Sequence, residues 1–209
     1  MTPPTEPRLT PLPYADWDDQ TRATLLQHLR RPELYLSGAP DAPPMPVVLE
    51  MFAHHIPLSA SWLPFTEMLA GESATLRVEQ RELLILRVAW RTRSGYEWVQ
   101  HRRMGAEAGL TAAQLDAIPS GPAAAVWTPL ERTLLTAVDE MIDDHAVGDA
   151  TWADLASSFG PTEMLELLFV IGGYLCLAGV LNSIGLQGGL PTVPQDDASD
   201  ADGAEGAAP

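Results

Sequence analysis

Residues 81–118 read RELLILRVAWRTRSGYEWVQHRRMGAEAGLTAAQLDAI, and two helices with a turn between them are legible in that run alone. Over 76–92 the apolar residues recur at helical spacing, with Glu82, Ile85, Leu86 and Ala89 along one side. Arg93-Ser94-Gly95 interrupts the pattern, and a second helix is expected from Tyr96 to Glu107, stopping at Gly109. Thr111 and Gln114 then have the spacing of a capping box and open a short third helix.

The same grammar extends in both directions. Upstream, 16–31 (DWDDQTRATLLQHLRR) fits a first helix with acids early and arginines late. Residues 32–45 carry Pro32, Gly38, Pro40, Pro43 and Pro44 and read as a loop, followed by helices over 45–55 and 59–69 with Pro57 between them. Downstream, Thr128-Pro129-Leu130-Glu131 combines an N-cap, a first-turn proline and a capping acid, and Leu134, Val138, Met141 and Ile142 give that helix a buried stripe. Thr151 and Asp154 suggest another capping box, and Gly160-Pro161 opens a long apolar helix. Sustained strand alternation is missing, so the expected class is all-α: a helical bundle domain over 45–190, preceded by an N-terminal arm and helix over 1–44. From Pro191 the composition cannot supply a core, and 191–209 is expected to be a disordered acidic tail.

Charge and cysteine usage narrow the functional classes. The 209 residues carry 28 acids against 12 Lys plus Arg, a net charge of −16, which argues against nucleic acid or an anionic membrane as the main partner. Cys176 is the one cysteine, so an internal disulfide is excluded and a reducing, cytoplasmic setting is expected; the N-terminus does not resemble a secretory signal. The strongly apolar part of the last helix, 167–181, is shorter than the roughly 20 residues that span a bilayer, which favours a buried core or subunit-interface helix.

Glu97 and His101, four apart on one helix face, form the centre of the candidate chemistry. Both are expected to point inward, where a carboxylate needs a partner and the imidazole is the obvious one; such a pair exchanges a proton near neutral pH. Glu82 on the preceding helix adds a second acid, and two carboxylates around one histidine drive their proton affinities apart. The competing reading is structural. Ser94-Gly95-Tyr96-Glu97 also has capping-box spacing, Glu82 can pair with an arginine of a neighbouring turn, and His101 can be a satisfied core histidine. Arg91, Arg93, Arg102 and Arg103 make the neighbourhood locally basic, which suits an anionic small molecule or balances nearby acids. Asp139, Glu140, Asp143, Asp144 and His145 read as a solvated acidic face rather than a metal site, and His54 or His55 joining Glu97 and His101 around a metal is a further alternative.

The 81–118 stretch resembles the carboxymuconolactone decarboxylase family, whose superfamily includes the AhpD-like alkylhydroperoxidases. The resemblance lies in Glu82, the apolar helix after it, Tyr96, His101 and the Ala-Gly-Leu-Thr close, with AHHIPLSASW before and WTPLERTLLTAVDEMIDDHAVGDATWADL after; it spans roughly 45–186. It implies an AhpD-like helical bundle. The redox branch uses an acid, a CxxC pair and a histidine four residues after the second cysteine; here the acid falls on Glu82, the histidine on His101, and the cysteine positions hold Ser94 and Glu97. Serine and glutamate cannot cycle through a disulfide, so thiol peroxidase chemistry is not expected. The non-redox branch implies instead a cofactor-free lyase or isomerase acting on a carboxylated lactone or related carbonyl compound. His101 would move the proton, Glu97 would tune it, Glu82 would be a second acid/base, and Tyr96, Arg93, Ser94 and His55 would contact substrate. The resemblance also implies a trimer or hexamer. A non-catalytic scaffold or binding protein and a metal-assisted hydrolase are the alternatives.

Overall fold

A computed structural model describes residues 7–29, 32–37, 39, 42–71 and 73–186. The expected tail over 191–209 lies outside them. The described chain is all-α, with helices α1 (Asp19–Leu25), α2 (Pro32–Tyr35), α3 (Val47–Phe52), α4 (Ile56–Ala70), α5 (Val78–Arg91), α6 (Gly95–Glu107), α7 (Ala112–Ala117), α8 (Pro129–Asp143), α9 (Asp149–Ala156) and α10 (Pro161–Ile184).

Helix α5 is the axis of the bundle. Ten consecutive residues, Gln80 to Ala89, are buried, so it is enclosed on every side, packing against α6, α8 and α10. Leu84, Leu86, Val88 and Ala89 have no exposed surface, and burial of each leucine stabilises the fold by about 2 kcal/mol. Leu134, Leu135 and Val138 of α8 and Leu167, Val170 and Ile171 of α10 complete this core. A second cluster, with Trp17, Leu25, Leu49 and Leu63, joins the N-terminal helices to α3 and α4.

Several local expectations change. The first helix begins later than 16, because Asp18 accepts from the Thr21 amide and caps α1 at Asp19; it then tightens into a 3₁₀ turn at Leu26–His28. The presumed loop after residue 31 contains the short α2. Pro57 does not separate two helices: it occupies the first turn of α4, where a missing N–H costs nothing. The Thr111 and Thr128 capping boxes form, but the Thr151 one does not. Gly148 caps α9, and the Thr151 hydroxyl donates to Glu140 from inside the helix.

Helix α10 runs for 24 residues, so length and hydropathy alone would let it cross a membrane. Polar ties hold it in the bundle. Glu166 accepts from the Thr75 amide and hydroxyl and the Leu76 amide, and the Asn182 side-chain amide donates to Thr92 O. Its outer face is less covered than a core helix requires, with Leu165, Phe169 and Val180 each about half exposed. Cys176 is exposed there too, and is not the packing residue its apolar surroundings suggest. The N-terminal arm reaches the end of this helix: the Arg8 amide donates to Ile184 O at 2.7 Å.

Candidate functional site

The α5–α6 turn positions the site. Thr92 ends α5, Arg93 adopts a left-handed conformation (φ 56°), the Arg93 amide donates to Trp90 O and the Ser94 amide to Ala89 O. This is the Schellman pattern, with arginine where glycine is usual. It folds α6 back along α5, and 19 residues after Glu82 the chain presents His101 to it. His101 Nδ1 lies 2.7 Å from Glu82 Oε2, with both side chains buried. A carboxylate oxygen only accepts, so Nδ1 carries the proton and Nε2 is left to exchange one.

The sequence reading paired His101 with Glu97; the hydrogen bond goes to Glu82 instead. Glu97 is buried on the same face of α6, and neither of its carboxyl oxygens has a hydrogen-bond partner among the described residues. Burial pushes its pKa up to about 8, a rise only partly opposed by the nearby Ser94 hydroxyl. Glu97 is therefore mainly the neutral acid at pH 7. The expected capping box is not formed: Ser94 is buried, its hydroxyl is unpartnered, and it makes no side-chain cap to α6. Ser94 and Glu97 are neighbours at a separation short of a hydrogen bond.

Tyr174, which the sequence reading missed, completes the group from α10. Its ring stands edge-on to His101, with centroids 5.0 Å apart and planes at 89°. Burial raises its pKa, the negative fields of Glu82 and Glu97 raise it further, and Arg81 opposes them. The phenol thus stays protonated. A polar ring directly after Gly172-Gly173 in an apolar helix was the available signal. Gly173 also lets Phe65 of α4 approach, since a Cβ there would sit 3.3 Å from its ring. Arg81 was missed as well: its buried guanidinium has Nε 4.0 Å from Glu82 Oε1.

The remaining candidates lie elsewhere. Tyr96 packs with Met51, Leu181 and Leu186, its hydroxyl beside the Val48 backbone. Arg93 serves the turn through its backbone and its side chain is exposed. His55 caps α4, with Nδ1 accepting from the Leu58 amide, and is exposed; His54 bonds Thr10 O. The acidic face of α8 is not merely solvated. Asp139 takes both Arg87 and Arg91, and Asp143 takes Arg91. Among the described residues, no three His, Cys, Asp or Glu side chains are grouped to hold a metal ion.

The carboxymuconolactone decarboxylase family model matches residues 59–140, which contain Arg81, Glu82, Ser94, Glu97 and His101 but not Tyr174. No curated protein matches the sequence. Among solved structures, an uncharacterized peroxidase-related protein from Ralstonia eutropha JMP134, described as an alkylhydroperoxidase AhpD core, is similar at TM-score 0.70 and 17% identity, over 86% of this chain and 91% of its own. An uncharacterized peroxidase-related protein from Silicibacter sp. TM1040 gives 0.68 and 19%, over 88% and 93%. A protein of unknown function from Agrobacterium tumefaciens, with AhpD as the candidate identity in its description, gives 0.60 and 18%, over 67% and 97%. These likenesses establish an AhpD-like fold.

Proposed function

We propose that this chain, carboxymuconolactone decarboxylase/AhpD-like at superfamily level, is a cofactor-free proton-transfer enzyme: a decarboxylase or isomerase of a small carboxylated lactone or related unsaturated carbonyl compound. The observation that carries the reading is the buried Glu82–His101 hydrogen bond beside a neutral Glu97. The two arrangements give opposite proton roles. Glu82 fixes the imidazole tautomer and leaves Nε2 as the base; Glu97 holds a proton at neutral pH and is the acid. In a decarboxylation, the bond to the departing carboxylate breaks and its electron pair passes into the conjugated carbonyl. The resulting carbon is then protonated by the acid and carbon dioxide leaves. In an isomerisation, Nε2 removes a proton from one carbon and the acid returns one to another. Tyr174, held protonated, donates to the developing oxyanion.

Thiol peroxidase chemistry finds no support, since Cys176 is the sole cysteine and Ser94 and Glu97 stand at the paired positions. The exposed apolar residues of α10 favour a homo-oligomer. The test is a panel of unsaturated lactones and β-keto acids with carbon dioxide release and absorbance followed. Wild type is expected to turn over at least one, and His101→Asn to lose at least 100-fold in kcat with its helical circular dichroism unchanged. Full turnover by the variant removes His101 as catalyst. A wild type inert to the whole panel favours a binding or scaffold role.

A further inference from the structure

Arg81 is the charged group that this chemistry leaves unused. Three arginines lie along α5, and two of them are fully engaged. Arg87 donates to both oxygens of Asp139 and to the carbonyls of Ile118 and Pro119, and Arg91 donates to Asp139 and Asp143. Arg81 is as buried, with 6% of its side chain exposed, yet it donates no hydrogen bond to any described residue. The nearby acids cannot take its donors. Glu82 Oε2 is held by His101 and Oε1 stands at 4.0 Å, beyond hydrogen-bond reach. Glu166, within the electrostatic reach of Arg81, spends its oxygens on Thr75 and Leu76. A guanidinium has five donors in a planar fork and cannot shed its charge, so donors that find no protein acceptor suit a ligand that brings one. On the next helix the Ser94 hydroxyl and both Glu97 oxygens are buried without hydrogen-bond partners among the described residues. Glu82 links the groups: its carboxylate lies 4.0 Å from Arg81 Nε and 2.7 Å from His101 Nδ1, and the His101 ring meets Tyr174 edge-on.

We infer that Arg81 is the anion-holding residue of this site and takes a carboxylate of the substrate on its guanidinium fork. Two oxygens in one plane match the fork. A planar carboxylate fills that fork better than a tetrahedral phosphate does. Because Glu97 is mainly neutral at pH 7, it does not repel the incoming charge. This assignment replaces the exposed Arg93, and it rests on the proton-transfer reading of the same site.

The experiment is titration of the full chain with maleate, its dimethyl ester and inorganic phosphate, followed by proton–nitrogen NMR that includes arginine Nε–H signals. Maleate is expected to bind and shift the Arg81 Nε–H, while the ester does not bind and phosphate binds more weakly. Arg81→Gln should weaken maleate at least tenfold, and Arg93→Gln should leave it unchanged. Should Arg81→Gln fail to fold, Arg81→Lys decides: it keeps the charge and loses the fork, and at least a fivefold weakening at unchanged melting temperature is expected. No maleate binding, unchanged binding in the folded Arg81 variants, loss in Arg93→Gln, or tighter phosphate binding each overturns the assignment. Maleate binding at Arg81 without turnover of any lactone sinks the reaction and spares the anion site. His101-dependent turnover whose KM ignores Arg81→Gln does the reverse.

Discussion

Replacing Glu97 by glutamine tests whether this carboxyl is held neutral by its surroundings. Its pKa rises from 4.5 to about 8 on folding, because burial penalises the anion and Ser94 offsets only part of that. The sign follows from proton binding. Between the unfolded and folded values the native state retains a proton that the unfolded chain releases, so rising pH favours unfolding. The carboxyl therefore costs nothing below pH 4.5 and becomes steadily more destabilising until about 8, where the loss levels off. At about 1.4 kcal/mol per pH unit, reduced near both ends of the range, the change between pH 5 and 8 is about 3.5 kcal/mol. Glutamine keeps the shape and removes the titration. Urea denaturation of both proteins at pH 5, 6, 7 and 8 should show the wild type losing about 3.5 kcal/mol relative to Glu97→Gln across that range. The variant should be the more stable protein at pH 8. A carboxyl carbon-13 titration of Glu97 near 4.5, or parallel stability curves for the two proteins, would refute the argument. The functional counterpart is a turnover that declines as pH passes about 8, where the acid loses its proton.

Other expectations concern the frame around the site. Glu166→Gln weakens the tie between α10 and the Thr75–Leu76 segment and should cost about 2 kcal/mol at pH 7 by denaturant unfolding. Burial works against the Glu166 carboxylate, but the Thr75 and Leu76 donors and Arg81 hold its pKa below 4.5; its stabilisation is present above that value and lost as pH falls, so the variant should be less acid-sensitive below pH 4.5. Gly121→Ala puts a Cβ 2.5 Å from Arg87 Nη2 at φ +64° and should destabilise by about 3 kcal/mol, whereas Gly109→Ala, at φ +104° with open space, should cost about 1 kcal/mol. Arg93→Gly relieves a left-handed arginine and should raise stability by about 0.5–1 kcal/mol, measured by thermal melting.

The helices legible in the sequence are those whose caps and periodicity agree, and α5 to α8 are of that kind. Thr111 and Thr128 cap as expected because their hydroxyls meet the backbone amide three residues on. Thr151 has the same spacing and fails because Glu140, brought in by the α8–α9 packing, captures its hydroxyl. The same limit governs the site. Glu82 and His101 were visible because they sit on inward faces of two clear helices, and their joining through a short turn was foreseeable. Their partner assignment was not. Spacing along α6 makes Glu97 and His101 neighbours, but the crossing of α5 against α6 decides which acid reaches Nδ1. Tyr174 lies more than 70 residues from His101, so only tertiary packing reveals it. Arg81 reads as an ordinary helix arginine until Arg87 and Arg91 are seen to find acceptors while it does not.

The site is drawn from two distances along the chain. Glu82, Ser94, Glu97 and His101 belong to one helical hairpin, whereas Tyr174 is delivered by a helix whose last turn is fastened to the arm through Arg8 and Ile184. Trimming the chain before Leu12 would remove that fastening and leave the Asn182–Thr92 bond holding that end of α10, with the hairpin's own hydrogen bond intact. The arm is thus a second fastening, beside that bond, for the helix that carries the aromatic neighbour of His101.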